Sequence, residues 1–413
     1  MKTMQDSGLK WLGEIPDHWT LTRIGGLYSI RNEKVSDKDY PPLSVTNKGI
    51  LPQLETAAKT NDGDNRKLVK VGDFAINSRS DRRGSCGISP LDGSVSLINI
   101  VMMPRKEMIP KYYEWLFHTV QFGDENYAWG HGIVDDLWTT GWQEMKKIAI
   151  PMPPLEEQSM IADYLDKRCA EIDALCGDIQ AEIDTLEQYK RSCITELVTK
   201  GVNIAVEFVD SGIQWIGEIP KHWKCIRGKY FLKYIQKTIR EDDGVITCFR
   251  DGEVTLRSNR REDGFTMADK EIGYQGIDVG DLVVHGMDGF AGAIGISDSR
   301  GKASPVLNVL DTSQNKRYVM YFLRSMAYSD VFLALATGIR VRSCDLRWNK
   351  LSELYYPIPP LDEQDEIVNK IDSIVERVNA VISEKKKQLD TLDLYKKSLI
   401  FECVSGKKTV GGV

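Results

Sequence analysis

Residues 6–19 read DSGLKWLGEIPDHW and residues 210–223 read DSGIQWIGEIPKHW, with ten of the fourteen positions identical at an offset of 204. A second phrase repeats at an offset of 206: PMPPLEEQ at 151–158 returns as PIPPLDEQ at 357–364, and TLEQYKRS at 185–192 returns as TLDLYKKS at 391–398. Self-similarity at a fixed period marks an internal duplication. Between the shared phrases the halves differ widely, so the sequence describes one frame carrying two different inserts. It predicts two related modules that read two different things.

Downstream of the second phrase, the apolar positions Leu165, Cys169, Ile172, Cys176, Ile179, Ile183 and Leu186 follow a 4,3,4,3,4,3 spacing, which is a heptad seam. The equivalent positions are Ile371, Val375, Val378, Ile382, Lys385, Leu389 and Leu392, with one polar interruption at Lys385. Each segment follows a Pro-Pro-Leu stop and carries acids in its first turn, where the helix dipole favours them. Gly177 is the one interior helix breaker. Both segments are expected to be long helices of about 43 residues, which at about 1.5 Å per residue makes a rod of about 64 Å. A rod with one apolar stripe needs a partner, and the other copy is the nearest. Two unrelated amphipathic helices, each packed on its own lobe, are the alternative.

The regions outside these helices read as mixed α and β. Residues 71–88 (VGDFAINSRSDRRGSCGI) and 279–296 (VGDLVVHGMDGFAGAIGI) align at an offset of 208. They share V-G-D, a short apolar run, a polar loop and G-I, which predicts a β-hairpin with a variable tip. Residues 112–120 and 318–326 have the pattern of short amphipathic helices, followed by the paired Gly132-Ile133 and Gly338-Ile339. The fold class expected is α+β: two mixed α/β domains, 1–152 and 202–358, separated by two long antiparallel coiled-coil helices, 153–201 and 359–413, with an internal pseudo-twofold repeat.

Composition bounds the function. With 413 residues, 42% hydrophobic and 28% charged, the chain has the profile of a globular protein of two or three domains. No apolar run approaches the roughly 18 residues of a membrane span, which argues against a membrane role. The N-terminal MKTMQDSGLKW has no apolar signal region, so a cytoplasmic location with reduced cysteines is expected. The eight cysteines contain no C-x-x-C pair and read as packing residues. The net charge of −6 is unevenly spread: residues 155–200 hold eleven acids against five bases and residues 361–408 ten against nine, leaving about +1 elsewhere. The acidity belongs to the helices, so the total neither supports nor excludes a polyanionic partner.

Catalytic signatures are missing. The Pro-Pro pairs lack the Asn/Asp-Pro-Pro-Tyr/Phe loop of adenine methyltransferases. Residues 295–302 imitate a phosphate loop, but with one residue too many and with Ala303 where Ser or Thr would hold magnesium. Asp135 or Asp136 with Glu144 and Lys146 could be forced into a metal-nuclease pattern, yet the second half has no counterpart, and a solvated charge cluster is the better reading. Of His18, His118, His131, His222 and His285, only His18 and His222 correspond between halves, each before a Trp, where a structural role is expected. The sequence therefore predicts no metal site and no catalytic residue.

The pattern D-S-G-x-x-W-x-G-x-I-P-x-H-W opening each variable lobe, with P-x-P-P-L-x-E-Q closing it into a heptad helix, resembles the specificity subunit of type I restriction-modification enzymes. The resemblance covers essentially the whole chain. It implies that 1–152 and 202–358 are target recognition domains and that 153–201 and 359–413 are spacer helices. It also implies a bipartite, asymmetric double-stranded DNA site, and a chain that is not itself an enzyme. Methyl transfer with S-adenosylmethionine would belong to two methylation subunits, and cleavage with ATP and magnesium to restriction (motor-nuclease) subunits, this chain binding no cofactor. Two readers on a rigid rod suit half-sites about one helical turn, roughly 34 Å, apart.

Base edges are best read by Arg and Lys on guanine and by Asn and Gln on adenine, whereas Ser, Thr and Lys often hold phosphates. In the first lobe the expected DNA-binding residues are Asn47, Lys48, Asn77, Ser78, Arg79, Arg82 and Arg83. In the second they are Arg250, His285, Asp288, Arg340 and Arg342, with Arg257, Arg260 and Arg261 as a neighbouring basic cluster. The rival readings are a specificity chain of a methylation-only or fused system, a coiled-coil scaffold whose lobes bind proteins, and a stand-alone nuclease.

Overall fold

The computed structural model describes residues 3–53, 63–79, 82–105, 107–132, 138–260, 272–334 and 346–411. Arg261, Arg340, Arg342, Ile133, Asp135, Asp136, Gly338, Ile339 and Cys344 lie outside them. The chain divides into two compact units, Met1–Ile179 with Lys386–Val413, and Gln180–Lys385. Each unit thus combines one lobe with part of each of two long helices, Leu155–Lys200 (46 residues) and Leu361–Val404 (44 residues).

In the first unit the central sheet is antiparallel, in the order Cys86–Ile88, Phe74–Asn77, Asn99–Pro104, Tyr28–Ile30. In the second, Ile294–Ile296, Leu282–His285, Leu307–Thr312 and Leu232–Ile235 follow one another in the same order. The expected hairpin is present in both, with Cys86 opposite Ile76 and Ile296 opposite Leu282. Its strands are apolar without interruption because the sheet has a core on each face. Phe74 and Ile76 join the larger core, and Ala75 between them joins a smaller one with Val69, Val95 and Val101. Leu282 and Val284 likewise point one way and Val283 the other, as the two-residue period of a strand requires. Pro110–Phe117 and Lys316–Tyr328 are the short amphipathic helices, bringing Tyr112, Tyr113 and Phe117, or Tyr318 and Phe322, into the larger cores.

The duplicated phrases are where each lobe is fastened. The strand Thr20–Arg23, which follows the opening phrase, pairs with Ala149–Met152, which leads into the closing one; Lys224–Arg227 and Tyr355–Ile358 repeat this. One carboxylate then holds both residues of each His-Trp pair. Glu157 Oε1 lies 2.6 Å from His18 Nε2, while Trp19 Nε1 donates to Glu157 Oε2 at 3.1 Å. Glu363 does the same for His222 (2.7 Å) and Trp223 (2.9 Å). The neighbouring glutamines point inward: Gln158 Oε1 accepts from the Ile109 amide and Gln364 Oε1 from the Asn315 amide, both at 2.9 Å. The two duplicated histidines are therefore part of these fastenings.

Within each unit the two helix segments run antiparallel. In the first, Lys396 Nζ donates to Asp173 Oδ1 at 2.6 Å, and Leu165, Cys169 and Ile172 share a core with Leu399, Cys403 and Val404. In the second, Lys190 Nζ donates to Asn379 Oδ1 at 2.9 Å, Lys385 pairs with Glu182, and Ile194 and Val198 share a core with Ile367, Val368 and Ile371. Of the heptad positions, Leu165, Cys169, Ile172, Ile179, Ile183, Ile371, Val378 and Ile382 are buried, and Cys176, Leu186, Val375, Leu389 and Leu392 are half-buried. Toward the lobes the apolar stripe widens beyond the seam to Ile161, Ile194, Val198, Ile367 and Val368, because a helix end covers a lobe as well as its neighbour.

The helix C-termini are capped alike. Tyr112 Oη donates to Val404 O at 2.7 Å and Tyr318 Oη lies 3.0 Å from Val198 O, each at a carbonyl that the helix itself leaves unpaired, while Tyr318 Oη also lies 2.7 Å from Pro357 O of the exit strand. Gly406 and Gly201 follow with φ of 74° and 75°, the left-handed conformation that ends a helix most cheaply with glycine. A Cβ at Gly406 would also stand 2.4 Å from Pro16.

Candidate nucleic-acid interface

In the first unit the hairpin tip after Phe74–Asn77 opens onto a cleft lined by Asn77, Ser78, Arg79 and Arg83, together with Tyr127 and Trp138. Local bonds set the tip: Asn77 Oδ1 accepts the Arg79 amide at 3.1 Å, Ser78 Oγ donates to Ile98 O at 2.6 Å, and Arg79 bridges to Thr139. Arg83 is held from two sides. Its Nη1 donates to Asp124 Oδ1 at 2.8 Å, and its guanidinium lies 4.1 Å over the Tyr127 ring, which stacks on Trp138 at 5.3 Å. This is a preset arrangement of cation and aromatic faces. Arg82 is exposed beside it. Asn47 and Lys48 form the exposed turn between Leu43–Thr46 and Gly49–Pro52 and do not line the cleft. Their hairpin is pressed against the Cys86–Ile88 strand, where a Cβ on Gly87 would stand 2.9 Å from Gly49 Cα.

In the second unit a cleft on another side of the hairpin tip gathers Arg250, Arg257, Arg260, His285 and Asp288, residues that lie up to 38 positions apart in the chain. Arg250 Nη2 donates to Asp288 Oδ1 at 2.9 Å. Arg260 pairs with Asp251 at 2.6 Å and Glu253 at 3.1 Å and lies 4.2 Å over the Phe249 ring. Burial pushes the Asp251 carboxyl up, but Arg260 and the Glu253 amide outweigh it and hold it below the usual range. Arg257 Nε donates to Thr247 Oγ1 at 3.4 Å. His285 Nδ1 accepts the amides of Met287 (3.2 Å) and Asp288 (2.9 Å), so Nδ1 carries no proton. Burial, helped by Arg250 and opposed by Asp288, pushes the imidazole below its ordinary value and keeps it neutral.

The two clefts offer guanidinium groups, amides, hydroxyls and aromatic faces, the chemistry that contacts bases and phosphates. Sequence reasoning did not pick out Tyr127, Trp138 or Phe249. The signal available was an aromatic residue within reach of an arginine, which only the folded loops make visible. Among the described residues no group of three or more His, Cys, Asp and Glu is placed to hold a metal ion, and no helix is long and apolar enough to cross a membrane. Cys86, Cys169, Cys248 and Cys403 are buried and unpaired in disulfides, and burial pushes their thiols up, which suits packing residues.

No protein-family model matches the chain. Among curated proteins it is similar to one described as the type I restriction enzyme MjaX specificity subunit of Methanocaldococcus jannaschii. That relative is 22% identical over 431 residues, spanning 96% of this chain and 95% of the relative. The MjaVIII specificity subunit of the same organism is 27% identical over 243 residues, 52% of each chain. A chain from a solved structure concerned with complex assembly and conformational transition of the type I restriction-modification system superposes with a TM-score of 0.67. It is 15% identical and covers 95% of this chain and 99% of that one, a likeness of fold.

Proposed function

We infer that this chain is a specificity subunit of a type I restriction-modification system, the non-catalytic member that selects the DNA on which its partners act. Residues 1–152 and 202–358 act as target recognition domains, and 153–201 and 359–413 form one antiparallel spacer between them. The reading is carried above all by one observation: two units share a strand order and a set of fastenings, yet carry different side chains at the same hairpin tip, Asn77, Ser78 and Arg79 in one and His285 and Asp288 in the other. A reader of two unlike half-sites needs a constant frame with variable tips, and an asymmetric bipartite site in double-stranded DNA follows.

The chain works in the cytoplasm with two methylation subunits and, in the full complex, restriction subunits. S-adenosylmethionine, ATP and magnesium are used by those partners. Pseudo-equivalent exposed residues on the helices support two like docking sites: Leu175 and Tyr395 in one unit, Val381 and Tyr189 in the other, are 45 to 54% exposed and related by the 206-residue offset. Repeated surfaces bind repeated partners. Leu175→Asp and Val381→Asp should each reduce the complex from two methylation subunits to one, read by native mass spectrometry, without lowering the thermal unfolding temperature. Retention of both subunits by the double variant would remove these residues from the docking surface.

The functional test is a genome-wide map of methylated adenines in cells expressing the chain with its methyltransferase, compared with cells lacking the chain. An interrupted two-part motif that depends on the chain is the expected result. If an active methyltransferase, checked with a different specificity chain, produces no such motif, DNA reading is refuted and a protein-binding scaffold takes its place.

A further inference from the structure

We propose that Arg250, held by Asp288, is a guanine-reading residue of the second recognition domain. The proposal rests on the reading of that domain as a DNA binder and assigns its chemistry. The three arginines of the cleft are not equivalent. Arg260 is tied to two carboxylates and laid on Phe249, and Arg257 is turned back to Thr247. The Arg250 side chain is 62% exposed, and among the described residues a hydrogen bond from Nη2 to Asp288 fixes it. Whichever Nη2 hydrogen Asp288 takes, the other still forms a two-pronged edge with Nη1 or Nε, which suits the paired acceptors O6 and N7 that guanine alone shows in the major groove.

The group that aims this fork is itself immobilised. Asp288 stands on the 286–292 tip, whose turn is closed by the Met287 and Asp288 amides on His285 Nδ1 and by the Ala291 and Ala293 amides on Asp288 O, at 2.9 and 3.3 Å. The tip is pressed onto the loop that carries Arg250. Gly292 has φ of 96°, and a Cβ there would stand 2.7 Å from Arg250 O. From the far side Arg324 Nη2 donates to Asp251 O at 2.7 Å, and a Cβ on Gly252 would meet that guanidinium. Both loops are thus held by side-chain and backbone contacts, so the guanidinium is oriented before DNA arrives. Such preorganisation suits base discrimination more than phosphate binding, for which a mobile cation suffices. Asp288 is a positioning residue here, and His285 supports it.

The experiment uses the full chain in complex with its methylation subunits. The wild-type motif is mapped first, and Arg250→Ala, Arg250→Lys and Asp288→Asn are then compared by methylome mapping and by binding to duplexes varied one position at a time. With Arg250→Ala, discrimination for guanine should fall about 5- to 150-fold at one position of one half-site, with the other half-site unchanged. Arg250→Lys keeps the charge, guards against misfolding of the alanine variant, and should lose most of the same discrimination. Asp288→Asn should loosen that position alone, and by less, a shift of base preference that a merely structural role would not produce. Equal weakening on every sequence with a shallower salt dependence would make Arg250 a phosphate contact and overturn the proposal, as would an unchanged motif and affinity. A wild-type complex that yields no two-part motif would instead refute the DNA-reading function itself.

Discussion

Exchanging residues 202–358 for the corresponding lobe of a specificity subunit with another target should replace one half of the methylated motif and leave the other half and the spacing intact. The frame makes this possible. The entry strand Lys224–Arg227 and exit strand Tyr355–Ile358 pair within the exchanged segment, so a whole lobe brings its own closure. The incoming lobe must still present a His-Trp pair to Glu363, which stays behind on the helix. Each mismatched base pair costs about 1–3 kcal/mol, so three read positions at about 2 kcal/mol each correspond to roughly 10⁴-fold discrimination for the new half-site over the old. Methylome sequencing reads the result directly. A change in both halves, or a change of protein partner with the motif unaltered, would contradict independent recognition domains.

The second large effect is on stability. Trp19→Ala and Trp223→Ala should each destabilise their own unit by about 3–5 kcal/mol, the range for deleting a buried large aromatic. Trp19 is 2% exposed and Trp223 5%, and each donates its indole N–H to the carboxylate that also holds the preceding histidine. The alanine variants leave a cavity and strip Glu157 or Glu363 of one partner. Glu157→Gln and Glu363→Gln retain an acceptor and should cost about 1–2 kcal/mol. Denaturant unfolding of the full chain, followed by hydrogen exchange within each unit, measures this even if the units do not unfold together. Costs below about 1 kcal/mol for both tryptophans would show that the duplicated phrase is not what fastens the lobes.

Much of this molecule was legible before folding because it is written locally. The heptad spacing from Leu165 to Leu186 marks a helix with one apolar stripe, and the structure gives Leu155–Lys200. V-G-D followed by an apolar run marks a hairpin in each half, and Phe74–Asn77 with Cys86–Ile88 is that hairpin. What periodicity could not supply is which face meets what. The seam says nothing of Ile194 or Ile367, which are buried because lobe and helix converge there. Nor did the density of arginines near 250–261 indicate that Arg260 is neutralised by Asp251 and Glu253 while Arg250 stays exposed.

The sequence by itself determined the duplication, the two long helices, the constant frame and the lack of catalytic signatures, because repeats and periods are properties of neighbouring residues. Only the tertiary structure decided which donors share a cleft. Arg83 meets Tyr127 across 44 residues and Arg250 meets Asp288 across 38. Such pairings depend on where strands and loops close in space, and on which carboxylates claim an arginine before DNA can.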